Sequence, residues 1–142
     1  MAFINDYDYR VVIGETALKV ISQVSEEVRA AAEAQAQAEI AGYLNPKFDT
    51  EKIFGSNDAR QPLIVMYTCD IALYHMSASL PGKMGTEIRK ERYERAIKWL
   101  EGVANGKIVP TGLPLATVIT STGERPIGST RYSSDKKQRN IW

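Results

Sequence analysis

A change in amino-acid usage at Gly106 divides this chain of 142 residues into two parts. Before Gly106, apolar residues recur with the spacing of amphipathic helices. After Gly106, proline, glycine, serine and threonine are frequent, and a tail of this composition cannot build a core of its own. We therefore predict a mainly α-helical fold, with a small helical bundle over residues 1–106 and an extended C-terminal arm over residues 107–142.

Three long segments carry the strongest helix signals. Residues 25–44 are rich in alanine, the best helix former, and begin with Ser25, a favourable N-cap. Pro62 suits the first turn of a helix that we expect to run to Leu80. The third helix is predicted over residues 87–104, because an Asn-Gly pair follows it directly.

Weaker signals fill the rest of the body. Residues 5–23 predict one or two short helices, with Gly14 as the break between them. Residues 45–61 read as a long polar connection, and connections of this length are uncommon without a function. The apolar residues within it are expected to hold it against the body; they are Phe48, Ile53 and Phe54.

The stretch MYTCDIALYHM, residues 66–76, contains the chain's one cysteine, Cys69, and its one histidine, His75. With Asp70 between them, these are the residue types of a thiol hydrolase, whose cysteine needs a base within hydrogen-bond reach. Side chains on a helix meet at spacings of three or four, so this pair, six positions apart, cannot touch. We predict instead that Cys69 packs as a small apolar residue in a central helix buried on two sides.

Other chemistry-bearing patterns are missing from the sequence. We see no glycine-rich phosphate loop, no set of Cys and His residues that could bind zinc, and no paired carboxylates in apolar surroundings. The expectation is a protein that is not an enzyme and has no metal or cofactor. No apolar run reaches the length of a membrane span, and the N-terminus does not resemble a secretory signal.

Charge is unevenly distributed along the chain. Residues 1–104 carry a net charge of −3, whereas residues 105–142 carry +4. A basic tail usually meets a negatively charged partner, either nucleic acid or an acidic protein surface. The segment LATVITS, residues 115–121, has the composition of a short strand. The predicted partner-binding residues of the arm are its cations and its last apolar pair: Arg125, Arg131, Lys136, Lys137, Arg139, Ile141 and Trp142.

The order of several motifs resembles one protein family. AEIAGYL is followed by a connection, then CDIALYHM, then RYERAIKWLEGVANGKI and GLP. This order is similar to that of the Mu-like head–tail connector (adaptor) proteins of tailed phages, over most of residues 1–115. The stretch from Arg92 to Lys107 is the most specific part. Positions that recur in the family look like core and packing positions: Tyr43, Asp70, Tyr74, Tyr93, Trp99 and Leu100.

The resemblance implies a structural virion protein without catalytic residues. It implies a homo-oligomeric ring of about a dozen copies, closed by head-to-tail contacts, between the portal protein and a tail or neck protein. Such a ring lies at the head–tail junction of the virion, is assembled in the host cytoplasm, and surrounds a channel in which DNA passes. It involves no membrane. The longer connection 45–61 and the arm depart from shorter relatives.

The residues leave a second function open. The basic arm could instead serve a small nucleic-acid-binding or regulatory module, whose affinity would fall steeply with salt. The acidic body argues against this alternative. For the connector, we expect LATVITS to add a strand to a neighbouring chain.

Overall fold

A computed structural model describes residues 3–45, 47–55, 60–77, 86–120 and 123–126 of the chain. The described residues form six α-helices and one two-stranded hairpin, so the predicted mainly α-helical fold is confirmed. In chain order the elements are α1 (Asp6–Ile13), α2 (Glu15–Ile21), α3 (Glu26–Leu44), α4 (Thr50–Gly55), α5 (Pro62–Ser77), α6 (Thr86–Ala104), β1 (Thr117–Thr120) and β2 (Gly123–Pro126).

Helix α5 is the centre of the bundle. It packs against α3 and α6, and α1 crosses it on a further side. Every residue from Tyr67 to Leu73 is buried, which is possible only when a helix is covered all around. Cys69 is fully buried in this run, as predicted. The tryptophan of α6, Trp99, packs at the edge of the core against the ring of Tyr67, with centroids 5.1 Å apart.

Helix α3 packs against α5 through a buried face that carries small side chains. Ala32 and Ala36 are buried there, and their small side chains leave room for a neighbouring helix. The predicted cap is confirmed, since the Ser25 hydroxyl accepts a hydrogen bond from the backbone N–H of Val28 at 3.3 Å.

The two short helices at the start of the chain meet at Gly14, as the sequence predicts. Gly14 has φ +85°, a conformation that side chains disfavour, and it separates α1 from α2. A capping box begins α1: the Asn5 side chain accepts from the N–H of Asp8 at 3.1 Å, and the Asp8 carboxylate accepts from the N–H of Asn5 at 2.8 Å.

The connection over residues 45–61 is not entirely irregular, which corrects the prediction of a plain loop. It contains α4, whose first turn is capped by the Asp49 carboxylate accepting from the N–H of Lys52 at 3.2 Å. Its apolar residues do hold it on the body. Ile53 is buried, and the ring of Phe54 meets that of Phe3 edge-on at 4.9 Å.

The first part of the predicted arm lies against the end of α6. The N–H of Ile108 donates to the carbonyl of Gly102 at 3.0 Å. A Cβ atom on Gly102 would stand 2.6 Å from the end of the Ile108 side chain, so a larger residue here would force that side chain to move. The Lys47 ammonium donates to the carbonyls of Val103 and Ala104 at 3.3 and 2.9 Å, where a helix has unsatisfied acceptors.

Backbone pairing ties the arm to the connection before α4. The N–H of Asp49 donates to the carbonyl of Pro114 at 2.9 Å, and the N–H of Ala116 donates to the carbonyl of Lys47 at 3.1 Å. The first part of the arm, up to Ala116, is therefore hydrogen-bonded to the body.

A short hairpin follows this contact. The predicted strand is confirmed over Thr117–Thr120, but its partner is β2 of the same chain, in an antiparallel register that pairs Thr117 with Pro126 and Thr120 with Gly123. The composition of β2, GERP, gave no strand signal, because glycine and proline are both disfavoured in strands.

Candidate interaction site

The described side chains do not assemble the thiol-hydrolase site that the sequence raised. Burial raises the pKa of the Cys69 thiol, and the nearby carboxylates of Asp8, Asp70 and Glu33 raise it further, so the reactive thiolate is disfavoured. His75 does not contact Cys69; its Nε2 meets the carboxylate of Glu39 at 2.5 Å. Cys69 therefore acts as a packing residue.

A buried ion pair joins α1 to the segment before α5. The Arg60 guanidinium donates to both carboxylate oxygens of Asp8, at 2.6 and 3.1 Å, and also to the carbonyl of Phe3 at 2.9 Å. Both Asp8 oxygens are thus bonded, and one of them also serves the capping box. A two-pronged contact of this kind fixes orientation as well as distance.

A second polar cluster joins α1 to α3. The buried Tyr9 hydroxyl donates to Glu33 at 2.9 Å, and Arg29 donates to the same Glu33 oxygen at 3.2 Å. The Arg29 guanidinium also lies 4.8 Å from the centre of the Tyr9 ring and bonds Asp6. Burial raises the pKa of Tyr9, and the negative charge of Glu33 adds to that effect.

A third cluster, at the contact of α5 with α6, is incompletely bonded. Arg92 Nε donates to Asp70 Oδ1 at 2.7 Å, and the Asp70 side chain is fully buried. Within the part of the chain that the structure describes, Asp70 Oδ2 and Arg89 Nη1 are buried without a hydrogen-bond partner. Burial raises the pKa of the Asp70 carboxyl, while the bond from Arg92 lowers it.

A fourth cluster, at the half-exposed edge between α3, α5 and α6, is aromatic. The rings of Tyr74 and Tyr93 stack with centroids 4.1 Å apart, and the Tyr93 hydroxyl donates to Glu39 at 3.1 Å. Burial and the charge of Glu39 raise the pKa of Tyr93 to about 12. The His75 ring also lies at this edge, 5.8 and 6.0 Å from the rings of Tyr74 and Tyr93.

A groove of about 580 Å³ opens between α1 and α5 and ends at α6. Tyr7 and Val11, on successive turns of α1, stand 66% and 68% exposed beside it. Two guanidiniums stand among its apolar walls, each anchored to a buried carboxylate. Its lining residues are Tyr7, Asp8, Val11, Val12, Arg60, Pro62, Val65, Met66 and Arg92. Exposed aromatic and aliphatic side chains beside arginines are typical of protein–protein contacts.

The partner-binding residues predicted from the sequence are not brought together with this groove. Arg125 falls on β2, where only the backbone is described. The other predicted contact residues lie outside the described residues: Arg131, Lys136, Lys137, Arg139, Ile141 and Trp142. Of the groove's lining, the sequence indicated only the apolar Val11 and Val12 of a short helix. Nothing in the sequence indicated that Arg60 would lie there.

Among the described residues, no group of three or more His, Cys, Asp or Glu side chains could hold a metal ion. None of the described helices is both long and apolar enough to cross a membrane.

These features define a small helical protein whose polar side chains link its packed helices and which exposes two large apolar side chains of α1 beside a groove. The family model for Bacteriophage Mu, Gp36 matches residues 4–125, most of the chain. The chain therefore belongs to this family and is a Mu-like phage protein. Comparison with curated proteins and with solved structures gives no significant match.

Proposed function

We propose that this phage protein is a structural head–tail connector, or adaptor, that forms a ring between the portal and the tail of the virion. Family membership makes it a phage protein, and the ordered motifs resemble those of connectors. The ring would hold about a dozen copies related by rotation, each using one surface to meet a different surface of its neighbour. The proposed location is the head–tail junction, with assembly in the host cytoplasm.

The observation that carries the proposal is the uncovered apolar face of α1. Tyr7 and Val11 are more than half exposed, and they stand beside a groove whose floor is also apolar. Exposed apolar patches with a polar rim mark interaction surfaces in proteins that do not act alone. A subunit contact would remove this surface from water, and a protein that works by contact needs no catalytic group.

The arm supplies a second surface in this proposal. Residues 107–116 are tied to the body by backbone hydrogen bonds, and the two-stranded hairpin follows them directly. The positive charge that the sequence places on residues 105–142 suits an acidic portal or tail surface, and it also suits passing contact with DNA in the channel. The residues proposed for these contacts are Arg125, Arg131, Lys136, Lys137, Arg139, Ile141 and Trp142.

The experiment that tests the connector proposal measures mass in solution. Sedimentation velocity of the full chain, alone and mixed with its portal protein, should show a ring-sized species. Replacing Tyr7 and Val11 together with serine should abolish that species, because it removes the apolar contact. A matched control is Val28→Ser, which changes an exposed valine on α3 outside the groove. A wild-type chain that stays monomeric in both conditions would contradict the proposal.

The alternative function, a nucleic-acid-binding module, rests on the +4 charge of residues 105–142. It requires DNA affinity that falls with salt in proportion to the number of phosphate contacts. Replacing Lys136, Lys137 and Arg139 with glutamine should then reduce both the affinity and the salt slope. Equal binding by the wild type and this triple variant would remove the alternative.

A further inference from the structure

Arg89 differs from the other half-buried arginines of the described chain. Arg29, Arg60 and Arg92 are each held by a carboxylate at hydrogen-bond distance. Arg89 has no such partner, and its Nη1 is buried without an acceptor. A buried donor without an acceptor is costly, so native proteins seldom leave one unless something completes it.

The surroundings of Arg89 show what kind of group is missing. Arg92 lies one turn further along α6, and Asp70, the carboxylate that acts on both arginines among the described residues, accepts a hydrogen bond from Arg92. Two guanidiniums therefore share one negative charge. Burial lowers the pKa of Arg89, and repulsion from Arg92 lowers it further, whereas Asp70 raises it. A second carboxylate would balance the pair, because the guanidinium fork matches a carboxylate in shape and charge.

The position of Arg89 is that of a contact surface. Its neighbour Ile88 is a large apolar side chain that stands 56% exposed. Arg92, three residues further along α6, lines the groove beside α1. Arg89 therefore lies one helical turn from a residue of the groove that the exposed apolar side chains of α1 border.

We propose that Arg89, with Arg92, is the receiving site for a carboxylate side chain of a second copy of this chain. This inference rests on the proposed ring, and it names one of the contacts that would close it. Arg89 anchors the neighbour, and Asp70 holds Arg92 in position.

A second copy offers suitable groups. Among the described residues, six exposed glutamates have no ion pair: Glu26, Glu27, Glu51, Glu87, Glu91 and Glu101. The body around the site carries net charge −3, which repels DNA phosphates and gives each copy a surplus of carboxylates. Glu87 and Glu91 stand beside Arg89 itself, so the other four are the first candidates for a head-to-tail contact.

The test compares Arg89→Met with Lys98→Met, a control that removes an exposed cation from the same helix. Methionine keeps much of the length of arginine but needs no partner. The melting temperature of the dissociated Arg89→Met subunit should equal or exceed that of the wild type, because an unpaired buried charge is gone. Its assembly, measured by sedimentation velocity, should be at least about thirtyfold weaker, because the buried interfacial pair is lost. The control should assemble like the wild type.

Each other result is informative. If Arg89→Met assembles like the wild type, the inference is overturned while the connector proposal stands. A lower melting temperature with unchanged assembly would make Arg89 a residue of the subunit core and overturn the inference. If the wild type never assembles, both proposals fall. Loss of DNA binding without loss of assembly would assign the site to phosphate instead and overturn the inference.

A double-mutant cycle identifies the donor of the carboxylate. Each of the four candidate glutamates is changed to glutamine, alone and together with Arg89→Met. The true partner should weaken assembly alone but add little in the Arg89→Met background, because the contact is already lost. Four additive cycles, each with the full loss of both single changes, would contradict a carboxylate donated by the described body.

Discussion

Two buried carboxylates of this protein have contrasting surroundings. Asp8 bonds Arg60 through both oxygens and caps α1, so both carboxylate oxygens and both terminal guanidinium nitrogens of that pair are bonded. Asp70 is buried more deeply but bonds Arg92 through one oxygen, and a second arginine stands near it without a partner. The first pair completes the subunit by itself, whereas the second has the composition of a site that another molecule completes.

The largest effect on this comparison is expected from Asp8→Asn. The amide cannot match the charge of Arg60, and it loses one acceptor of the capping box. We expect the free energy of unfolding to fall by about 2–4 kcal/mol, measured by urea denaturation. The control is Asp6→Asn, which removes an exposed partner of Arg29 and should cost less than about 1 kcal/mol. Equal losses for both variants would mean that Asp8 is no more structural than a surface residue.

A smaller loss is expected from Asp70→Asn, despite its deeper burial. Burial raises the pKa of Asp70, so its charged form is disfavoured in the fold. Replacing it with the neutral amide of asparagine should therefore lower the free energy of unfolding less than at Asp8. We expect a loss of about 1–2 kcal/mol at pH 7. A loss larger than that of Asp8→Asn would reverse the contrast between the two pairs.

The pH dependence of the Asp70 variant has a definite sign. A carboxyl whose pKa is raised in the fold stabilises the protein fully below its unfolded pKa, and that contribution is lost as the pH rises. The advantage of the wild type over Asp70→Asn should therefore shrink from about pH 4 to pH 7. Urea denaturation at both pH values measures it, and an advantage that grows with pH would contradict the raised pKa.

The smallest effect is expected at the half-exposed aromatic cluster. Tyr93→Phe removes one hydrogen bond to Glu39 and should cost less than about 1 kcal/mol at pH 7. The pKa of Tyr93 is raised to about 12. Its contribution is therefore present below pH 10 and lost between about pH 10 and 12. Thermal melts across this range should decline less steeply for the variant than for the wild type; parallel curves would exclude this role for Tyr93.

Local patterns in the sequence predicted the helices well. The spacing of apolar residues and the caps gave α3, α5 and α6, and Gly14 gave the break between α1 and α2. The same helix geometry correctly separated Cys69 from His75. Helix α4 was not predicted because its six residues are too few to show the spacing of apolar residues in a helix. Strand β2 was not predicted because glycine and proline are disfavoured in strands.

The polar clusters could not be predicted because their partners are distant in the chain. Asp8 and Arg60 are 52 residues apart, and Asp70 and Arg92 are 22 apart. No local pattern links such residues until the helices pack. Asp70 was recognised as a packing position, but its unpaired neighbour Arg89 had no signal beyond its place in a charged helix. The predicted contact residues of the arm are still predictions.

The backbone ties between residues 47–49 and 114–116 have a mechanical consequence. They fix the position at which the chain leaves the body, one residue before the hairpin begins. In the proposed ring, the hairpins of successive subunits would therefore start at equal intervals around the circle. A force applied to a hairpin would act first on the backbone hydrogen bonds between residues 47–49 and 114–116, and only then on the helices.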